Sequence, residues 1–215
     1  GLYFLDAIDD YWYLMTDTVF TTGKRWRFFY FNSYLYGGSP SDGWIYWKGS
    51  AWTTLNGAVS IGATTIDLTD ATAFPNSGDI MVQGEKISYT GKSTNQLTGV
   101  TGVAVNHPSG SRAILKVDTV TYAALAKIRD LAFFKNRSFV IDNDTPTIVR
   151  HSKLADNTNP ETDLVNYTIA GSGAGDAGFG ILPDEAIALR TFVTGSGDEV
   201  LGVLCANGIV YAMVV

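Results

Sequence analysis

Two stretches about 100 residues apart read as the same piece of structure, and they constrain the fold more than anything else in the 215 residues. The first is FFYFNSYLYGGSPSDGWIYW, Phe28 to Trp47; the second is AFFKNRSFVIDNDTPTIVRH, Ala132 to His151. Aligned on Asn32 and Asn136, each gives an aromatic-rich strand, a polar turn, a second apolar strand, a Gly/Asp/Asn/Pro turn and a third strand. In this frame Phe29 and Tyr30 fall opposite Phe133 and Phe134, Leu35 opposite Phe139, and Ile45 opposite Val149. Apolar residues come in runs of three to six without helical period, the pattern of short strands between tight turns.

Between the two lies Gly57 to Leu115, rich in Thr, Ser and Gly, with no Trp and Tyr89 as its one Tyr. With that segment set aside, the offset of roughly 104 residues contracts to a period of roughly 45, the spacing of β-propeller blades. The expected fold is all-β, with partial β-propeller-like antiparallel blades and an inserted small β-sandwich or barrel-like module. Residues 1–56 form the first propeller-like part, 57–115 the inserted module and 116–215 the second part. Within the insert, DIMVQ and EKISYT face each other across Gly84 as a hairpin. The strands entering and leaving it, near Leu55 and Lys116, are expected side by side, because the host repeat has to continue across it. Further strands are read at LYFL, DYWYLM, TIVRH and on either side of Asn207-Gly208, a strong hairpin signal. Tyr122 to Asp130 is the segment with helical propensity, and Asp156 to Gly180 reads as a long polar loop. The chain begins in the strand-like LYFL and stops in IVYAMVV, which reads as part of a longer protein.

Composition narrows the function classes. A net charge of -6 argues against a nonspecific nucleic-acid binder, which needs a cationic face to displace counterions. No apolar stretch reaches the roughly 18 residues of a membrane span. A single Cys205 excludes an intrachain disulfide and a Cys-based metal cage, and its apolar surroundings make it a small buried hydrophobe. Charged residues make up only 17%, so broad surfaces are left for apolar contact.

Five ordered motifs in the middle segment carry a resemblance. ATTIDL (Ala63 to Leu68), FPNSGDI (Phe74 to Ile80), GEKISYTG (Gly84 to Gly91), LTGVTG (Leu97 to Gly102) and HPSG (His107 to Gly110) resemble a module of tailed-bacteriophage virion proteins. Physically they read as scaffold: Gly78, Gly91, Gly99 and Gly102 permit turns, while Phe74, Ile80, Ile87 and Tyr89 pack. The flanks look like propeller-type phage tail proteins through Phe134 to Val140, Pro146 to Asp156 and Val200 to Tyr211. His151 departs from that pattern, where an aromatic or apolar residue is expected. The resemblance implies an assembly role in the virion and supplies no catalytic residues.

A search for chemistry leaves little. His107 and His151 lie far apart, the former in a turn before Pro108 and the latter at a strand end. No nucleophile elbow, phosphate loop or zinc-binding helix motif occurs. Gly171 to Gly180 lacks the Gly-Lys-Ser/Thr ending and reads as a flexible loop. Asp142, Asn143 and Asp144 form an acidic turn that could hold Ca²⁺, or simply favour the turn before Pro146. Asp9, Asp10, Asp42, Asp184 and Glu185 are the carboxylates from which a glycosidase pair would be drawn. Trp44, Tyr46, Trp47 and Trp52 form either blade core or, with Trp44 or Trp47 exposed, a platform for a host glycan. The leading expectation is a non-enzymatic structural subunit of a phage tail, such as a tip, baseplate, nozzle or fibre hub. It needs no cofactor or metal, and its partners are other virion proteins and copies of itself. The alternatives are a receptor- or glycan-binding module and a polysaccharide-degrading enzyme.

Overall fold

A computed structural model of the chain describes residues 2–6, 10–48, 51–120, 127–155, 163–167, 169 and 175–213, and every element among them is a strand. In chain order these are β1 (Tyr3–Asp6), β2 (Tyr11–Leu14), β3 (Arg27–Phe31), β4 (Tyr34–Ser39), β5 (Gly43–Lys48), β6 (Trp52–Thr54) and β7 (Thr65–Asp67). There follow β8 (Gly78–Val82), β9 (Glu85–Tyr89), β10 (Gly91–Ser93), β11 (Gln96–Thr98), β12 (Arg112–Leu115), β13 (Asp118–Val120) and β14 (Ile128–Phe134). The last are β15 (Arg137–Asp142), β16 (Ile148–His151), β17 (Gly178–Ile181), β18 (Ala186–Val193), β19 (Glu199–Cys205) and β20 (Val210–Met213). They form six small sheets, and the described pairings are antiparallel.

The chain divides into two compact units. One comprises Gly1–Phe20 and Trp47–Asp118, the other Thr21–Tyr46 and Thr119–Val215. Within the expected first part, residues 1–20 and 47–56 fall in the unit that holds the middle segment, and residues 21–46 fall in the other.

In the first unit the middle segment, joined by β6 just before it, builds two sheets, β6-β12-β8-β9 and β10-β11-β7. Its core is aliphatic with two rings: Leu55, Ile66, Leu68, Phe74, Ile80, Ile87, Tyr89 and Leu97 are all buried. Each motif of the segment contributes a side chain to this core or a turn to its rim. Gln83 and Gly84, both at positive φ, make the β8–β9 hairpin turn. Gly99 and Gly102 also lie at positive φ, whereas Gly91 sits in a strand where an added Cβ would meet Thr98 Oγ1 at 2.5 Å. Close approach, not a turn, explains that glycine. Entry and exit strands are direct partners: Trp52 faces Ile114, Thr53 faces Ala113 and Thr54 faces Arg112.

In the second unit three hairpins stand at equivalent places, and two of them share one turn. The β3–β4 turn is Asn32-Ser33 (φ 47° and 69°), and the β14–β15 turn is Lys135-Asn136 (φ 46° and 58°). Two central residues at positive φ mark type I′ turns, whose twist matches the strands they join. The equivalent of Asn32 is thus Lys135 and not Asn136, so the repeat frame is 103 residues, one fewer than the asparagine alignment. Tyr36 and Phe139, both 0% exposed, become the matched core residues. The third hairpin, β18–β19, closes through Thr194 N donating to Asp198 O at 2.8 Å. Strands β14-β15-β16-β17 form one meander and β18-β19-β20 another; β5-β4-β3 continue into β13.

Two expectations are corrected here. Residues 122–126 of the helical reading lie outside the described residues, but Ile128 to Asp130 belong to strand β14. Tertiary contacts override propensity there: Ile128 is buried, and its side chain lies 2.9 Å from where a Cβ on Gly38 would stand. Likewise Gly178 to Gly180, expected as flexible loop, form most of β17 against β16. The rest of Asp156 to Gly180 lies largely outside the described residues.

Candidate functional site

The first strands of the three hairpins converge on one buried carboxylate. Asp130 on β14 is 2% exposed. Its Oδ1 accepts from Arg27 Nε on β3 at 2.7 Å; its Oδ2 accepts from Arg190 Nη1 and from Leu189 N on β18, both at 2.8 Å. The three charged residues hold one position in the repeat. Arg27 faces Gly38, Asp130 faces Ile141 and Arg190 faces Gly202. Each is the fifth pair from its turn, counting Thr194–Asp198 as the closing pair of the third hairpin. β3, β14 and β18 are also each terminal in their sheets among the described strands. A cleft of about 340 Å³ opens beside the node, lined by Arg27, Phe28, Phe133, Leu189, Arg190 and Thr191 among others.

A second buried polar group lies behind β15. Arg137, 4% exposed, donates through Nη1 to the carbonyls of Ser152 (2.6 Å) and Asp176 (2.8 Å) and stands 3.3 Å from His151 Nδ1. Desolvation lowers the Arg137 pKa, with the charge of Asp176 opposing. Burial also lowers the His151 pKa, Arg137 adds to that, and a bond to the Ser152 carbonyl opposes it. The ring packs against Phe139 and covers Gly178 on the adjoining strand, so His151 fills the place of an aromatic residue. Ser138 Oγ meets both the Leu164 carbonyl and the Tyr167 hydroxyl, whose pKa burial pushes well above its ordinary value while Ser138 opposes. This network ties the segment between β16 and β17 to the sheet.

His107 is not a simple turn residue. Buried in the first unit, it exchanges both backbone hydrogen bonds with Val59, and its Nε2 lies 2.6 Å from Glu85 Oε2 and its Nδ1 3.0 Å from Gln83 Oε1. The first unit also carries a groove of about 430 Å³ lined by Tyr3, Tyr11 and Trp12 over Met81 and Ile114.

The aromatic set is divided between the units. Trp44 is 1% exposed and packs with Phe29 and Tyr167, and Tyr46 is half-buried beside Tyr34 and Tyr36. Trp47, 7% exposed, donates its indole N–H to the Leu115 carbonyl; Trp52 is half-buried with the Arg112 guanidinium 4.5 Å above its ring. Neither Trp44 nor Trp47 is exposed, so neither offers a face to a sugar.

Of the candidate carboxylates, Asp9 lies outside the described residues. Asp42 accepts from Thr21 N and Oγ1 and from Ser39 Oγ; Asp184 accepts from Asn207 N; Glu185 pairs with Arg129 at 3.2 Å. Asp142 binds Asp144 N and Thr145 Oγ1, the bonding of a turn before Pro146, and no group of three metal-ligating side chains forms among the described residues. Cys205 is buried, and burial with nearby Asp184 raises its thiol pKa. No described helix is long and apolar enough to cross a membrane.

Compared with known proteins, the chain matches no family model, no curated protein and no solved structure.

Proposed function

We propose that this chain is a structural protein of a tailed-phage virion, a tail tip, baseplate, nozzle or fibre-hub subunit working through assembly contacts. The observation that carries the proposal is where large apolar side chains stand in the open. In the second unit several lie on terminal strands: Phe28 and Tyr30 on β3, Phe179 and Ile181 on β17, Phe192 and Val193 on β18; others, such as Val19 and Ile61, stand in loops. Tyr30 is 65%, Ile181 73% and Val193 63% exposed. A monomer blunts such edges with Lys, Pro or short strands, because unpaired backbone beside apolar side chains recruits other chains. Apolar edges on a chain with few charges fit an obligate interface, with other tail proteins and with copies of itself.

The equivalent placement of Arg27, Asp130 and Arg190 supports the architectural part of the proposal. Three antiparallel sheets whose first strands meet at one level are what successive propeller blades would present around an axis. The virion assignment itself rests on the motif resemblance. Mass spectrometry of purified phage particles tests it directly, together with electron microscopy of the purified protein. A symmetric ring, or peptides of this chain in the particle, is the expected result. A monomer absent from particles would refute it.

A further inference from the structure

We propose that the cleft beside Asp130 is an oxyanion site, taking the carboxylate, sulfate or phosphate group of a small ligand whose apolar part rests on Phe28 and Phe133. The inference goes beyond assembly and does not depend on it. Among the described residues, the charged side chains lining the cleft are Arg27 and Arg190, while the carboxylate that orients them lies buried beneath. Each guanidinium uses part of its donor set internally. Arg27 bonds Asp130 through Nε alone, and Arg190 bonds Asp130 and the Leu189 carbonyl through Nη1 alone. Both Nη atoms of Arg27, and Nε and Nη2 of Arg190, have no partner among the described residues. These side chains are 26% and 45% exposed, so the spare donors are within reach of solvent.

Two facts make this more than a pair of surface arginines. First, Asp130 fixes both side chains, so the rotamer entropy that a flexible arginine loses on binding is already spent. Second, one buried carboxylate against two guanidiniums leaves a surplus positive charge in a chain whose net charge is -6. Planar forks with donors in excess match oxyanions geometrically, which a neutral ligand could not exploit. The depression is open to solvent, which suits a small anionic group, and its aromatic flank adds an apolar surface. Thr191 supplies a hydroxyl at the same mouth.

The test is an NMR titration of the full chain at constant ionic strength with sodium sulfate, sodium phosphate and sodium benzoate in turn. The expected result is saturable shifts confined to the Arg27 and Arg190 Nε–H and the amides of Leu131–Phe133 and Leu189–Thr191. Whichever of benzoate or the tetrahedral ions binds tighter assigns the ligand class, and either ordering supports the site. Arg190→Gln should weaken binding by about ten-fold while the fold persists, because one charge-assisted partner is lost. Asp130→Asn gives up part of that fixing but removes the negative charge that offsets one guanidinium, and the charge outweighs the entropy, so sulfate should bind it more tightly and raise its thermal midpoint more than that of the parent chain. Absence of saturation through tens of millimolar overturns the proposal. So does binding indifferent to Arg190→Gln, or an Asp130→Asn variant whose stability ignores sulfate.

Discussion

Replacing Asp130 by Asn should destabilise the second unit by about 3 kcal/mol, an estimate set by opposing effects. Asp130 accepts three hydrogen bonds at 2.7 to 2.8 Å, two of them from guanidiniums. At roughly 1.5–3 kcal/mol for each charged bond, simple addition overshoots, because burying the carboxylate itself costs several kcal/mol. Asn keeps the shape and one acceptor, enough for the buried Leu189 N–H. The arginines can rehydrate in part, since they are 26% and 45% exposed. Hydrogen exchange read by mass spectrometry separates the units. Peptides from β15 should exchange at least about a hundred-fold faster in the variant, while peptides from β8 and β9 serve as the unchanged control. Adding Arg27→Met and Arg190→Met to Asp130→Asn should recover part of the loss, because the unpaired charges are removed while the Asn still accepts from Leu189 N. Equal protection of β15 in Asp130→Asn and the parent, or equal loosening of both units, would show that Asp130 does not hold the second unit together.

Other outcomes follow from the same kind of reading. His107→Ala removes a buried ring and its bonds to Glu85 and Gln83, and should lower the stability of the first unit by about 2–4 kcal/mol in urea unfolding. His151 has a folded pKa below its ordinary value of 6.5, so the unfolded chain takes up its proton first as pH falls. Its contribution to stability is fully present above pH 6.5 and lost on acidification toward the folded pKa; His151→Phe should flatten this part of the pH profile. Gly38→Ala drives a methyl into buried Ile128 and should cost about 1–3 kcal/mol, seen as a lower thermal midpoint. Tyr30→Lys with Ile181→Lys should shift sedimentation toward smaller species without changing the circular dichroism spectrum.

Local chemistry was legible in the sequence; long-range placement was not. Turns announced themselves at Gly84 and Gly208, both at positive φ, and the apolar positions Phe74, Ile80, Ile87 and Tyr89 are buried. The repeat was visible, but identity of Asn32 with Asn136 misled by one residue, because a type I′ turn fixes the frame by its two positive φ positions and not by which one is Asn. β18 escaped notice because Ala186–Val193 has a polar break at Arg190 and Thr191 that interrupts its apolar run. Arg190 is the residue that reaches Asp130. Nothing local marks Arg27, Asp130 and Arg190 as a group, since the partners lie 103 and 60 residues away. The aromatic set drew attention through composition alone, which cannot distinguish a ring stacked in a core from one facing water.

The pairing of β6 with β12 also bears on the order in which the chain assembles. β5 and β13 are neighbours in one sheet although 69 residues separate Lys48 from Asp118. Closing so long a loop costs about 2.5 kcal/mol more than closing a four-residue one, taking the entropy as (3/2)RT ln n. The intervening segment has its own core, and its mouth is zipped by Trp52–Ile114 and Thr54–Arg112. Once that zipper forms, the flanking strands emerge as close together as the arms of a hairpin, and the search for β13 becomes local. Deleting the zipper contacts should therefore slow folding of β13 onto β5 far more than it weakens either strand. The middle segment would then act as the chain's own template for joining two distant pieces of one sheet.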